Sequence, residues 1–477
     1  MKNAKYLQWA IMFILFALPS YALRFKIAGI PITMLEVMIL ATFATWFLGS
    51  YKQVIENIKT RRSSGTGLSR YPFDIEIVLL LIISFVSVGV AGFSNEAFGI
   101  WKAYFFEPLL FYVLLFNVFA SPSRNLREGW ASVFAKIIWP LTVATFLISV
   151  FAIYQKITGN LISNPFWAAV ETRRVVSVFA YPNALGLYLA PLVLLMTGKL
   201  FSMLPRPAGE GRGEGKGLWF KIIFLAITII LSLLSIYFAH SEGAIVGIAA
   251  GVIMFGLLAG RRMSVVTLGV LGIVAIIFFA NANLHDKIIE KGTLGDFSGE
   301  VRKQQWRETW AMLTESPQRF ILGAGLANYQ GAVKPYHQEG IFFNQDKDPD
   351  FYRKLVIFNN EYKEKYWRPV EVYLYPHNIF LNFWSELGLA GALLIVWIII
   401  KFYYLGAKLI KNYELQITNN GIYNKYIVVS LLSAMTAIVI HGAVDVPYFK
   451  NDLAVMFWMI IALMGMGQLM INKENKN

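Results

Sequence analysis

The chain has 477 residues, 57% of them hydrophobic and only 15% charged, with a formal net charge of +14 and no cysteine. Apolar content above half, with charge gathered in clusters, excludes a large soluble core in favour of a polytopic membrane protein. The lack of cysteine excludes disulfides, zinc–thiolate sites and thiol nucleophiles. The basic excess is explained by loops on one membrane face rather than by nucleic acid.

Apolar stretches recur near residues 7–23, 31–49, 75–93, 99–120, 134–156, 183–200, 218–238, 243–259, 264–281, 378–404, 424–444 and 451–471. A helix needs roughly 17–25 residues to cross about 30 Å of hydrocarbon. The pattern therefore predicts an all-α fold with about twelve transmembrane helices. The first stretch follows Lys2 and Lys5 and reaches Ser20-Tyr21-Ala22, which mimics a signal-peptide cleavage site. The spans that follow at once, and Pro19 with Arg24 and Lys26, favour a retained helix leaving the membrane there.

Orientation follows from charge. With the N-terminus inside, the inside loops hold Arg61, Arg62, Arg70, Arg124, Arg127, Arg206, Arg212, Arg261, Arg262, Lys401, Lys408 and Lys411. The outside loops hold fewer basic residues: Arg24, Lys26, Lys102, Lys156, Arg173, Arg174 and Lys450. This asymmetry places both termini inside. Residues 205–217 read as a Gly-rich inside linker; no strand precedes them, so the glycines are not a phosphate loop. The chain then divides into N-terminal membrane helices (1–282), a large outside loop (283–376) and C-terminal membrane helices (377–477).

The outside loop is too long to be a mere connection. A helix is expected to begin at Ser298-Gly299-Glu300 and end at Ser316-Pro317. On it Arg302, Trp306, Trp310 and Leu313 share one face, with Lys303 and Arg307 pointing elsewhere. Arg302 either snorkels to headgroups or aims a planar fork at a substrate phosphate. The same choice applies to Arg173 and Arg174, just before Tyr181-Pro182-Asn183. Gly323-Ala324-Gly325 allows a tight turn. His377, in Tyr375-Pro376-His377-Asn378, stands where the chain re-enters the apolar phase. It is either a general base at the bilayer surface or a residue that starts a helix. Aromatic residues of the insert 333–370 suit sugar faces or headgroups equally. His441 and Asp445, one turn apart, read as a supporting or structural pair.

These residues together resemble the O-antigen ligase and O-antigen polymerase superfamily of bacterial envelope glycosyltransferases. The resemblance rests on Arg302-x-x-x-Trp306, Pro317, Gly323-Ala324-Gly325, His377-Asn378 and Glu386-Leu387-Gly388 in that order, with Pro182-Asn183 upstream. It covers nearly the whole chain and sets the ligase-related region at about 218–404. One element departs. Ser241-Glu242-Gly243, preceded by His240, stands where the family often shows Ser-Arg-Gly. That leaves Arg173 or Arg174 to replace a diphosphate contact, or Glu242 to meet the sugar, pair with an arginine or act as a second acid/base.

The resemblance implies transfer of a glycan from undecaprenyl diphosphate to an acceptor hydroxyl on the periplasmic face of the inner membrane. The acceptor would be lipid A-core, another glycolipid or a protein. In that scheme His377 is the base, and Arg302 with Arg173 or Arg174 neutralises the departing diphosphate. Asn378, Glu386, Glu242, His441 and Asp445 support the site or meet the acceptor. The reaction is expected to invert the anomeric centre and to need neither metal nor other cofactor; Asp346, Asp348 and Asp350 read as a solvated loop run. A repeat-unit polymerase would use the same chemistry on a different acceptor. A transporter or flippase would instead require ionisable residues at mid-membrane and an internal repeat; Glu107 beside Pro108 is the best residue for it.

Overall fold

The computed structural model describes residues 4–27, 30–63, 71–120, 129–204, 216–357, 360–415 and 419–474. The first membrane half comprises α1 (Ala4–Phe16), β1 (Arg24–Ile27), β2 (Ile30–Thr33), α2 (Met34–Ser63), α3 (Asp74–Val90), α4 (Asn95–Trp101), α5 (Glu107–Phe119) and α6 (Trp130–Thr158). After the short α7 (Pro165–Ala168) come α8 (Pro182–Met203), α9 (Lys216–Phe238), α10 (Glu242–Ala259) and α11 (Arg261–Ala280). The polar segment holds α12 (Ala282–Gly292), α13 (Phe297–Thr314), α14 (Pro317–Leu322), α15 (Tyr329–Val333), β3 (Gly340–Phe342), α16 (Phe351–Ile357), α17 (Asn360–Tyr366) and β4 (Trp367–Pro369). The chain closes with α18 (Ile379–Leu415), α19 (Asn419–Gly442) and α20 (Asn451–Glu474).

Every predicted apolar stretch contains a helix, and the fold is an all-α polytopic membrane protein. Among the described residues ten helices are long and apolar enough to cross a bilayer. Two of the expected twelve are shorter: α1 has 13 residues and α3 has 17. The stretch 7–23 stops being α-helical at Phe16 because Pro19 supplies no amide proton, and a β1–β2 hairpin follows. Between α4 and α5 the helix widens to a π-turn over Lys102–Phe106, just ahead of Pro108. Pro108 cannot donate to the Tyr104 carbonyl; Tyr448 Oη donates to it at 2.7 Å instead. The linker predicted at 205–217 lies, up to residue 215, outside the described residues, as do Arg70, Arg124, Arg127, Arg206 and Arg212.

Small residues let the core helices meet closely. Gly247 and Gly251 on α10 face the Ala437 and Ser433 carbonyls of α19, where an added Cβ would come to 2.9 Å from each oxygen. The span in α20 is buried along almost its whole length, whereas that in α11 buries none of itself in the protein.

The loops expected outside gather at one end of the bundle. Asn378 Nδ2 donates to Ala443 O at 3.0 Å, Arg174 Nε to Ala239 O at 3.0 Å, and Lys450 lies 4.7 Å from both the Tyr21 and Phe179 ring centres. Glu76 with Lys401 (2.6 Å) and Trp130 stacked on Tyr413 (6.3 Å) lie on the helix segments leading to the opposite end.

The insert leaves and returns at one point. His337 Nε2 lies 3.0 Å from Val370 O, and β3 pairs antiparallel with β4, Gly340 against Pro369 through Phe342 against Trp367. Beyond this stem Phe351, Leu355 and Tyr366 form a small core of their own. Asp346 and Asp348 are engaged there by Lys365, Tyr366, Lys354 and Tyr362.

Candidate active site

His377 sits in the turn that feeds α18. Its backbone is left-handed (φ 47°), a conformation uncommon for a side chain of this size and one that neighbouring contacts must hold. Two contacts do so. Trp306 Nε1 of α13 donates to Pro376 O at 2.9 Å. Asn378 caps α18, its Oδ1 accepting from the Phe380 and Leu381 N–H groups at 3.0 Å each. The imidazole is 18% exposed and lies edge-to-face with Tyr373 and Tyr375 at 5.3 and 4.9 Å. Its Nδ1 points at Asp445 Oδ1, 3.7 Å away, beyond hydrogen-bond reach, and has no hydrogen-bond partner among the described residues.

Asp445 lies on the loop between α19 and α20, with a side chain only 2% exposed. Its Oδ1 accepts from the Val446 N–H at 2.9 Å, and its Oδ2 from Asn183 Nδ2 at 3.3 Å. Burial pushes this carboxyl up, but His377, His441 and the Val446 amide outweigh burial and hold it below the ordinary carboxylate range. His441 flanks it from α19, its ring against Gly243 of α10; a Cβ on that glycine would come within 2.5 Å of the imidazole.

The two adjacent arginines separate. Arg173 turns to the end of α6, its Nε donating to Ala168 O at 3.1 Å and its Nη1 to Lys156 O at 3.1 Å. Arg174 turns to the cluster: Nε donates to Ala239 O, and Nη2 to His240 O at 3.2 Å and Asn183 Oδ1 at 3.3 Å. Asn183 thus bridges Arg174 to Asp445. It opens α8 without capping it, so its amide is free for this bridge. Burial draws Arg174 below the usual guanidinium value, partly offset by Glu242. Nη1 of Arg174 has no partner among the described residues.

On α13, Arg302 Nε donates to Val444 O at 3.0 Å and Nη1 to Ser298 Oγ at 2.8 Å; Nη2 is unengaged among the described residues. One helix therefore grips both loops of the cluster: Arg302 holds the residue before Asp445, and Trp306 the residue before His377. The helix begins at Phe297 with Asp296 as its cap, slightly earlier than its sequence signal. Its buried face is Val301, Gln304, Gln305, Glu308, Thr309, Met312 and Leu313; of the predicted stripe only Leu313 is buried, while Arg302 and Trp306 are half-buried and Trp310 is exposed. Lys303 and Arg307 do not point elsewhere: they line one shallow cleft with Trp306, Trp310 and Ala311.

Glu242 and Glu386 lie apart from the imidazole's partners. Glu242 pairs with Lys291 at 2.8 Å, and Lys291 also meets Asp296 at 2.7 Å. Glu386 Oε2 accepts from the Ala327 N–H at 2.8 Å, locking the Gly323–Gly325 turn onto α18. Gly388 (φ 74°) kinks that helix where a Cβ would come 2.3 Å from Ile321 O. Sequence reasoning left out Asn183 and Tyr375 as site residues; the Pro-Asn pair was the available signal for the first. No three His, Asp or Glu side chains among the described residues come together as metal ligands.

No curated protein matches the chain. The family of O-antigen ligases matches residues 227–396, a segment that carries Arg302, Trp306, His377 and Glu386, while Arg174, Asn183 and Asp445 reach the cluster from outside it. Over that segment the chain is similar to the O-antigen ligase family, a match that supports the O-antigen ligase superfamily of ligase- and polymerase-type membrane enzymes.

Proposed function

We propose that the protein moves a glycan from undecaprenyl diphosphate to an acceptor hydroxyl on the periplasmic face of the inner membrane. The observation that carries this reading is the chain Arg174–Asn183–Asp445–His377, closed by Arg302 and Trp306 of one helix. Asp445, 3.7 Å from Nδ1 of His377, closes to a hydrogen bond as the acceptor binds and leaves Nε2 for its hydroxyl. The acceptor oxygen attacks the anomeric carbon as its proton passes to the imidazole. The bond from that carbon to the diphosphate oxygen breaks on the opposite side, which inverts the centre. The unengaged amino groups of Arg302 and Arg174 take the charge that grows on the diphosphate. Arg173, occupied by backbone carbonyls, has the weaker claim to that role.

The test is glycan transfer by purified enzyme in detergent, with a chelator present. His377→Ala should keep its fold and donor binding, and lose transfer by about a hundredfold or more. Full activity of that variant at matched protein level would refute the reading. A strict requirement for a divalent metal would refute the arginine-based mechanism.

A further inference from the structure

Beyond the grip of Trp306 on Pro376, the outer stripe of α13 has no part in the reaction described above. Lys303, Trp306, Arg307, Trp310 and Ala311 line a shallow cleft of about 400 Å³. From Lys303 to Trp310 it runs about 10 Å along the helix axis. Its two indoles are fixed at their edges: Trp306 Nε1 is tied to Pro376 O, and Trp310 stands edge-on to Trp384 of α18 at 5.7 Å. Trp310 remains 49% exposed. Lys303 is tethered to Glu300 at 2.5 Å. Arg307 is exposed, and no hydrogen bond or ion pair engages it among the described residues. Through Pro376 the cleft begins one residue from His377.

Fixed indoles offer surface to the C–H faces of pyranose rings, and a free guanidinium takes a carboxylate or phosphate in a two-pronged bond. We propose that this cleft binds an anionic saccharide, the acceptor end of the reaction, with its reacting hydroxyl toward His377. The proposal rests on the glycan-transfer reading and adds the chemistry of the acceptor to it. A tryptophan–arginine stripe on bilayer headgroups is the competing occupant, and the test separates the two.

Protein in phosphatidylcholine nanodiscs is titrated calorimetrically with tetragalacturonate and with neutral maltotetraose. Tetragalacturonate should bind saturably and maltotetraose about tenfold more weakly, the order expected for one charge-assisted hydrogen bond. Arg307→Gln should weaken tetragalacturonate binding by about tenfold. Trp310→Phe, which keeps an aromatic ring against Trp384, should weaken binding of both sugars. Equal binding of the two sugars, or unchanged binding by Arg307→Gln, overturns the proposal. Loss of maltotetraose binding when phosphatidylglycerol is added, relieved by Arg307→Gln, also overturns it and assigns the cleft to headgroups. His377→Ala should bind tetragalacturonate as the wild type does. If that variant transfers at full rate while binding still depends on Arg307, the catalytic reading fails and the subsite stands.

Discussion

Asp445 has a negative charge to keep and two imidazoles beside it. Its carboxyl is held below the ordinary range, so its ionised form stabilises the fold above the unfolded value of about 3.9 and that contribution is lost as pH falls through the lower folded value. Between pH 5 and 8 the carboxylate therefore stays charged, so an acid limb of activity in that window is not its own protonation. Asp445→Asn should lower transfer on the order of a hundredfold. It should also move the acid limb to lower pH, because an imidazolium loses its counter-charge. An unmoved limb with normal turnover would reduce Asp445 to a packing residue. Arg302→Lys tests the diphosphate contact: lysine keeps the charge but cannot grip Val444 O and a phosphate from one planar fork. A strong loss of transfer is expected, with loop geometry checked by thermal unfolding. At this scale the sequence was legible where motif and contact coincide, as in Arg302, Trp306 and His377. It was opaque for Arg173 and Arg174, neighbours that turn to different loops, because a non-periodic loop encodes no side-chain direction. The one-turn spacing of His441 and Asp445 suggested a local pair, whereas Asp445 also engages Asn183, 262 positions away.

Elements behave differently, since periodicity reads helices well but not what covers them. Periodicity put Arg302, Trp306, Trp310 and Leu313 on one face of α13 but did not say what covers the others. Its buried face includes a polar network, because the insert folds back on it: Glu308 accepts from Gln304 Nε2 at 2.7 Å and from the Gln338 N–H at 2.9 Å, and lies 3.2 Å from His337. Such a network is invisible to a hydrophobicity pattern. The glycine pairs were read as a turn and a helix motif; they are two halves of one joint, in which Gly388 receives the Ile321 carbonyl and Gly323 the Ser385 carbonyl. Gly388→Ala adds a Cβ at φ 74° against backbone that cannot retreat, and should destabilise the protein by about 1–3 kcal/mol. Thermal unfolding in detergent measures it; an unchanged midpoint would show that the joint is slack.

The whole chain has no cysteine, so introduced thiols report topology without background. Lys347 lies on the exposed insert, and Arg261 is exposed at the turn between α10 and α11. Charge asymmetry puts the first outside and the second inside. Lys347→Cys should react with an impermeant maleimide in intact cells, and Arg261→Cys only after lysis. The reverse result would invert the protein in the membrane and remove the periplasmic site. The positions of the apolar helices and the gathering of the outside loops at one end were readable from hydropathy and charge, although two of the twelve expected spans fall short of crossing length. The short α1 and the widened turn before Pro108 were not, because each answers to a proline's missing amide proton rather than to apolar length.

The stem that closes the insert makes its distal part a detachable module. His337 meets Val370, and β3 meets β4, before the chain runs out to a core of its own. The grips of Arg302 and Trp306 lie on the near side of that stem. Replacing residues 344–365 by a two-residue Asn-Gly turn should therefore leave Phe342 opposite Trp367 and His377 in place. Such an enzyme should keep its melting midpoint within a few degrees and still consume the donor. Residues beyond the stem would then be free to diverge in length and chemistry, so that lineages could exchange what the catalyst touches without rebuilding the catalyst.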